Sequence, residues 1–271
     1  MSLIYFDPEK CTACGTCSEI CPVHVIIPGE DGVPSVPPEN EPFCVRCGHC
    51  EAVCPANAIQ GNYETFSPEN NLADTEQISP EVLKKYTQSR RSIRAFKDKP
   101  VEREKLEEIL ETVRFAPSGM NVQPVKWLVI NDAGKVKKLA DLAIDWMRLM
   151  VEKDIDHPLK QIFPGLVARR DAGLDPICYE APCLVYAYAE NEYAYTDSII
   201  ALSTVDLVAS SFGLGGCWAG LLQFAAREYE PLKEALALPG GNVPQYALII
   251  GYPKYKFWRI PGRKQADVIW R

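Results

Sequence analysis

The sequence predicts an α+β protein of two domains: a small cysteine-rich domain over residues 1–61 and a larger, helix-rich domain over 80–271. Three observations carry this. A cysteine run occurs twice within the first 54 residues, and a polar stretch over 62–79 then reads as a linker. Beyond it, helical periodicities alternate irregularly with short apolar runs, without the strict strand–helix–strand order of a parallel sheet.

Eight of the eleven cysteines form the repeat. Cys11, Cys14, Cys17 and Cys21, closed by Pro22, recur 33 residues later as Cys44, Cys47, Cys50 and Cys54, closed by Pro55. Both copies continue to an isoleucine at the same offset, Ile26 and Ile59. The segment between them, from Pro28 to Pro42, reads as an ordinary loop. In residues 1–61 only Lys10 and Arg46 face eight carboxylates, so nearly all of the chain's net charge of −7 resides there.

In the larger domain Ser79-Pro80-Glu81 starts a helix, with Ser79 as N-cap and proline in the first turn. Leu106, Ile109, Leu110 and Val113 recur at helical spacing and form one apolar face. Residues 134–150, 197–213 and 228–238 read as further helices, and 126–130, 183–189 and 246–250 as buried strands. The run from Ser198 to Leu222 is long and apolar enough to raise a bilayer span. Asp206 at its middle, with Gly213, Gly215 and Gly216, fits a buried helix at a core or subunit seam better. Residues 1–7 carry no basic, apolar signal, so the expected setting is cytoplasmic, with no membrane. The acidic balance offers no footprint for nucleic acid.

The cysteine spacing points to metal. Zinc knuckles also use C-x2-C pairs. Four cysteines per run, duplicated and closed by proline, instead match the bacterial ferredoxin pattern, in which the fourth cysteine of each run serves the other cluster. Cys11, Cys14, Cys17 and Cys54 then hold one 4Fe–4S cluster, and Cys44, Cys47, Cys50 and Cys21 the other. Gly15 and Gly48 leave room for the loop to wrap the cube. This half resembles a two-cluster bacterial-type ferredoxin domain. With each cube complete, His24 and His49 are expected to be exposed bystanders.

The larger domain offers an ordered set of weaker motifs. Arg90-Arg91-Ser92-Ile93-Arg94 concentrates guanidiniums that match phosphate oxygens. A loop carrying Ser118, Asn121 and Gln123 follows, then the glycine-rich run Gly213 to Gly220, which permits close backbone approach to a flat ligand. Arg263 and Lys264 lie near the end. In order and spacing this set resembles the nitroreductase family of FMN flavoproteins. The resemblance implies a central, mainly antiparallel sheet with surrounding helices, and a homodimer with FMN at the interface. Carried over by position, Arg90, Arg91, Ser92 and Arg94 bind the phosphate and ribityl region. Ser118, Asn121 and Gln123 reach FMN from the partner subunit, Trp218, Ala219 and Gly220 lie near the isoalloxazine, and Arg263 and Lys264 complete the phosphate site. It also implies that the helix over 198–213 sits at the dimer seam and that the tail over 267–270 extends onto the partner. Val125, where many members carry a larger residue, leaves the substrate undefined.

The region 154–179 is expected to cover the flavin, with His157 a surface residue, while Cys183 and Cys217 read as buried apolar thiols and Cys178 stays open. No Ser-His-Asp set, P-loop or dinucleotide fingerprint is present, and no catalytic residue is assigned. The expected function is oxidoreduction, with electrons passing between two 4Fe–4S clusters and FMN to a small organic acceptor such as a nitroaromatic, quinone or activated alkene. Two alternatives stay open: an electron-transfer adaptor between redox protein partners, and an NAD(P)H-dependent nitroreductase with structural clusters.

Overall fold

A computed structural model describes residues 2–63 and 77–271. The expected linker over 62–79 lies mostly outside them. The chain divides into two units, Met1–Gln77 with Gly119–Val122, and Ile78–Ser118 with Gln123–Arg271.

The smaller unit repeats itself in backbone as well as in sequence. Ala13 and Arg46 take φ of 52° and 51°, Gly15 and Gly48 of 75° and 72°, and His24 and Asn57 of 52° and 48°. Each pair is 33 residues apart. The two glycines precede the short helices α1 (Thr16–Ile20) and α2 (His49–Ala52), so the left-handed turn that suits glycine launches each helix. Strands β1 (Ile4–Phe6) and β4 (Ile59–Gly61) pair antiparallel and join the two ends of the unit. The segment expected as plain loop instead holds a hairpin, β2 (Ile27–Pro28) against β3 (Pro34–Ser35). Gly32 at φ 83° and the Asp31 side chain, which accepts from the Val33 N–H at 3.0 Å, close its turn. Ile4, Phe6, Val25, Ile26, Val36 and Ile59 pack around Cys17, Cys21 and Cys50. This core is small, and cysteines form much of it.

In the larger unit, α3 (Pro80–Ser89) starts where the sequence places it, with the Ser79 hydroxyl accepting from the Val82 N–H at 3.3 Å. It is followed by α4 (Arg103–Val113), β5 (Lys126–Ile130), α5 (Ala133–Glu152), α6 (Phe163–Asp171), β6 (Cys183–Ala189), α7 (Tyr195–Val208), β7 (Gly215–Trp218), α8 (Gly220–Glu228), α9 (Glu230–Leu236) and β8 (Val243–Gly251). The four strands form one antiparallel sheet in the order β5-β6-β8-β7.

Alternation along the strands sends side chains to two cores. Leu184, Tyr186, Ala247 and Ile249 face α5, α8 and α9. Cys183, Val185, Ala187, Leu248 and Ile250 face α4 and α7. Both faces of β6 and β8 are covered, which is why their sequences read as continuous apolar runs.

Three boundaries differ from the sequence reading. The helix expected to reach 213 ends at Val208, where a tight turn over 209–212 stops at Gly213 with φ 71°. The glycine-rich run after it is strand β7, paired Gly216 to Ile250 and Trp218 to Leu248. Helices α6 and α8 have no counterpart in that reading. Among the described residues no helix is long and apolar enough to cross a membrane.

Gly251 closes β8 where a Cβ would stand 2.7 Å from both Phe96 Cδ1 and Pro182 Cδ. Gly251→Ala is therefore expected to destabilise the chain by about 1–3 kcal/mol through overpacking. Denaturant titration would measure it, and an unchanged midpoint would show that the ring and the proline yield freely.

Candidate functional site

The eight cysteines gather into two groups. Cys11, Cys14, Cys17 and Cys54 line one small cavity. Cys21, Cys44, Cys47 and Cys50 line a second. Each therefore takes three thiols from one run and one from the other. Among the described residues no three Cys, His, Asp or Glu side chains converge on a single-ion site. Three thiols from one run and one from the other is the arrangement of a two-cluster ferredoxin, in which the fourth cysteine of each run serves the other cluster.

Backbone N–H groups already point at sulfur, Ala13 to Cys11 Sγ at 3.4 Å and Ala58 to Cys54 Sγ at 3.3 Å. Burial pushes the Cys50 thiol up to about 11 and raises Cys17 as well, so these ligands are thiols until a metal displaces their protons. Cys14 is exposed, and the Thr16 side chain and backbone hold its thiol below the ordinary value. His24 and His49 are exposed.

In the larger unit the arginine segment lies against the end of the sheet. The Ile93 N–H donates to the Gly216 carbonyl at 2.9 Å, Lys97 to Tyr252 at 2.8 Å, and Lys254 to Ala95 at 2.9 Å. Ile93 is buried, so Arg90, Arg91, Ser92 and Arg94 are held on either side of an anchored residue. Arg90 and Arg91 line an open cleft of about 550 Å³ with Lys97, Lys254 and Lys256, and among the described residues no carboxylate lines it. Five cations around one cleft give it a positive potential.

Behind Arg90 stands Asp206 on α7. Its Oδ2 accepts from Arg90 at 3.0 Å and from Trp218 Nε1 at 3.2 Å, while Oδ1 is buried with no hydrogen-bond partner among the described residues. One carboxylate thus ties the arginine segment to the end of β7. Trp218 meets Tyr246 edge-on at 5.3 Å. Ala219 is buried and bonded to the Ala247 carbonyl, and Gly220 opens α8.

The glycines of this run are needed by the protein itself. A Cβ at Gly215 would meet Ile93 at 2.4 Å, at Gly216 Leu248 at 3.0 Å, and at Gly220 the Tyr246 hydroxyl at 2.8 Å. Side chains of the same fold occupy the space that a Cβ at each of these three positions would need.

Other expected residues lie apart from the cleft. Ser118 Oγ accepts from the Gln123 N–H at 2.9 Å, and Asn121 bonds residues of the smaller unit, to which Gly119–Val122 belongs. Arg263 and Lys264 are in the exposed C-terminal tail and are not gathered with Arg90 in this protomer. His157 is not the surface residue expected. It packs among Trp146, Phe163 and Phe224 with ring centroids 5.1–5.5 Å apart, and its Nδ1 accepts from the Leu159 N–H. Cys178, Cys183 and Cys217 are buried; burial raises all three thiols, Cys183 to about 12, which leaves them unreactive.

Residues 87–252 match the family model described as the nitroreductase family. The chain belongs to the nitroreductase family. Membership makes it an FMN-dependent oxidoreductase, and residues 10–59 match the 4Fe-4S dicluster domain, which adds two 4Fe–4S clusters. This nitroreductase-family chain is 32% identical over 191 residues to the FMN reductase [NAD(P)H] of Bacillus subtilis, covering 69% of the chain and 72% of that relative. It is 28% identical to the NADH dehydrogenase of Thermus thermophilus, over 67% of the chain and 92% of the relative. Among solved structures, a nitroreductase with bound FMN from Bacteroides fragilis aligns with a TM-score of 0.56 at 22% identity, over 71% of this chain and all of that one. One from Desulfitobacterium hafniense also gives 0.56, at 21% identity, over 69% and 96%. These two likenesses establish the fold.

Burial raises the Asp206 carboxyl from 3.8, against the pull of Arg90 and Trp218. A carboxyl with a raised folded pKa favours the fold in its protonated form, so this contribution is complete below pH 3.8 and is lost as pH rises through the folded pKa. Arg90→Ala removes the opposing cation. The variant is expected to be less stable by roughly 1–3 kcal/mol at neutral pH, with the deficit growing as pH rises above about 4. Denaturant titrations across that range would measure it, and a deficit independent of pH would show that Asp206 is adequately solvated without Arg90.

Proposed function

We propose that this FMN oxidoreductase takes up electrons one at a time through its two 4Fe–4S clusters and delivers them in pairs to a small organic acceptor, such as a nitroaromatic, a quinone or an activated alkene. The observation that carries the reading is the presence in one chain of two four-cysteine cradles and a cation-lined cleft of the flavin fold. Bound FMN supplies the exchange between one-electron and two-electron chemistry that a cluster alone lacks.

The chain's own residues then have separable tasks. Cys11, Cys14, Cys17 and Cys54 hold one cluster, and Cys21, Cys44, Cys47 and Cys50 the other. Arg90 and Arg91 bind the FMN phosphate, with Ser92 and Arg94 beside the ribityl chain. Asp206 keeps Arg90 in place from behind and leaves its other N–H groups for the ligand. Trp218, Ala219 and Gly220 border the isoalloxazine. Ser118 and Gln123 approach the flavin from the loop of a second copy, and Arg263 and Lys264 reach the phosphate when the tail is docked. No side-chain acid is required at the acceptor, since solvent can supply its protons.

A homodimer fits the surface. Helix α7 has apolar side chains beyond the face that lies in the protomer's own core, and Ile199, Ile200 and Leu207 are only half-buried. Trp258, Ile269 and Trp270 in the tail are 80–90% exposed. A second copy would cover both sets.

A second reading has NAD(P)H as the donor and purely structural clusters. It is favoured by the FMN reductase [NAD(P)H] of Bacillus subtilis, which reaches 32% identity. One variant separates the two. Cys14→Ala is expected to slow FMN reduction by a low-potential one-electron donor such as reduced viologen at least about tenfold, while leaving reduction by NAD(P)H unchanged. If a folded variant reduces at the parent rate with both donors, the clusters do not feed the flavin. Anaerobic quantification of the parent protein is expected to give about eight irons and one FMN per chain. Zinc in place of iron would overturn the assignment of the cradles.

A further inference from the structure

The two cradles are braced differently. In the first, the bonds around the ligand loop are local: the Ala13 N–H turns back to Cys11 Sγ, and Cys14 Sγ lies 3.3 Å from the Thr16 hydroxyl. In the second, the brace comes from 76 positions away in sequence. Asn121 Nδ2 donates to the Val45 and Arg46 carbonyls, both at 3.1 Å. Val45 and Arg46 are the two residues between the ligands Cys44 and Cys47. Arg46 stands at φ 51°, a conformation that side-chain-bearing residues seldom hold without support, and Asn121 itself stands at φ 54°. The amide is half-buried in a four-residue segment that belongs to the smaller unit.

We propose that Asn121 is a positioning residue for the second cradle: its amide fixes the loop between Cys44 and Cys47, and so sets the potential of the cluster held there. The inference rests on the reading that this cradle holds a 4Fe–4S cluster. The physical reason is geometric. With both carbonyls committed to the Asn121 N–H groups, the peptide planes between Cys44 and Cys47 are fixed, and with them the direction in which the loop's own N–H groups would meet a bound cluster. Hydrogen bonds to sulfur are among the factors that set a cluster's potential. When the amide is removed the carbonyls are free to turn back, and only one of the two clusters should register the change.

The test uses the full, cluster-loaded protein under anaerobic conditions, with each cluster's midpoint potential followed by electron paramagnetic resonance. The signal lost in Cys47→Ser identifies the second cluster. In Asn121→Ala that signal is expected to shift in potential, or to disappear with iron falling to about half, while the first cluster and FMN content stay unchanged. Asn121→Asp, of equal size but without N–H donors, is expected to do the same, and Asn121→Gln to restore part of the parent potential. Equal shifts in both clusters, or none with full iron, would overturn the inference. Loss of FMN with both potentials intact would also overturn it, making Asn121 a flavin contact instead. None of these outcomes bears on the Cys14→Ala comparison, which tests the electron-transfer reading separately.

Discussion

Strand β8 pairs with β6 along one edge and β7 along the other, and its two faces meet two different cores. A strand enclosed on every side leaves little freedom in register, because a slip of one residue would exchange the two cores. The end of β7 and the arginine segment are both referenced to it. Trp218 stands opposite Leu248, Ala219 bonds the Ala247 carbonyl, and the residues just past Gly251 accept the arginine segment through Phe96, Lys97 and Ala95. The polar groups at the edge are thus placed by the apolar pairing at the centre. This arrangement puts function on the least constrained residues while fixing where those residues begin.

The smaller unit depends on a different constraint. A segment of about sixty residues buries too little apolar surface to be stable by packing alone. Here the interior consists of six aliphatic and aromatic side chains around cysteines, and the burial that packs Cys17 and Cys50 also raises their thiols. The eight cysteines would hold two clusters here, and bound clusters would replace buried thiols with metal–sulfur bonds, which couples cofactor binding to the stability of this unit. The repeated left-handed conformations of Ala13 and Arg46 have the corresponding cost, since only Gly15 and Gly48 adopt theirs freely.

How much of this was legible depended on whether a feature is local in sequence. The cysteine runs are local, and their spacing anticipated which four thiols would share each cavity, including the exchange of Cys21 and Cys54. The capped start at Ser79 and the apolar runs of β5 and β6 are local too. The glycine-rich strand β7 was missed because its signal is absent: glycine lacks strand propensity, and Gly215 and Gly216 are in place only because Ile93 and Leu248 need their space. Helix α8 was hidden behind the same glycines. Asp206 did leave a trace, as a lone carboxylate inside an apolar helix, a pattern that signals a buried partner. Its partners Arg90 and Trp218 are 116 and 12 residues away and could not be read from the pattern. The half-buried setting of His157 has no signal of its own, since it arises where three helices, α5, α6 and α8, bring Trp146, Phe163 and Phe224 around the ring.

Net charge, finally, says little about the cleft. Residues 62–271 sum to only −1, yet among the described residues five cations line one opening without a carboxylate. The balancing acids are elsewhere, notably along α4, where Glu107 and Glu111 pair with Arg103 and Arg114 on an exposed surface. Such surface pairs contribute little to stability, but they keep negative charge away from the cleft. Asp206 is the exception, placed directly behind Arg90. A carboxylate there reduces the cleft's potential, so electrostatics alone would select against it. What it offers is direction: it engages the guanidinium at Nη1, so that Arg90 lines the cleft as an anchored side chain. Replacing a mobile cation by an oriented one gives up some long-range attraction in exchange for a defined hydrogen-bonding geometry, the property that a cofactor phosphate needs if the ring at its other end is to be held in one place.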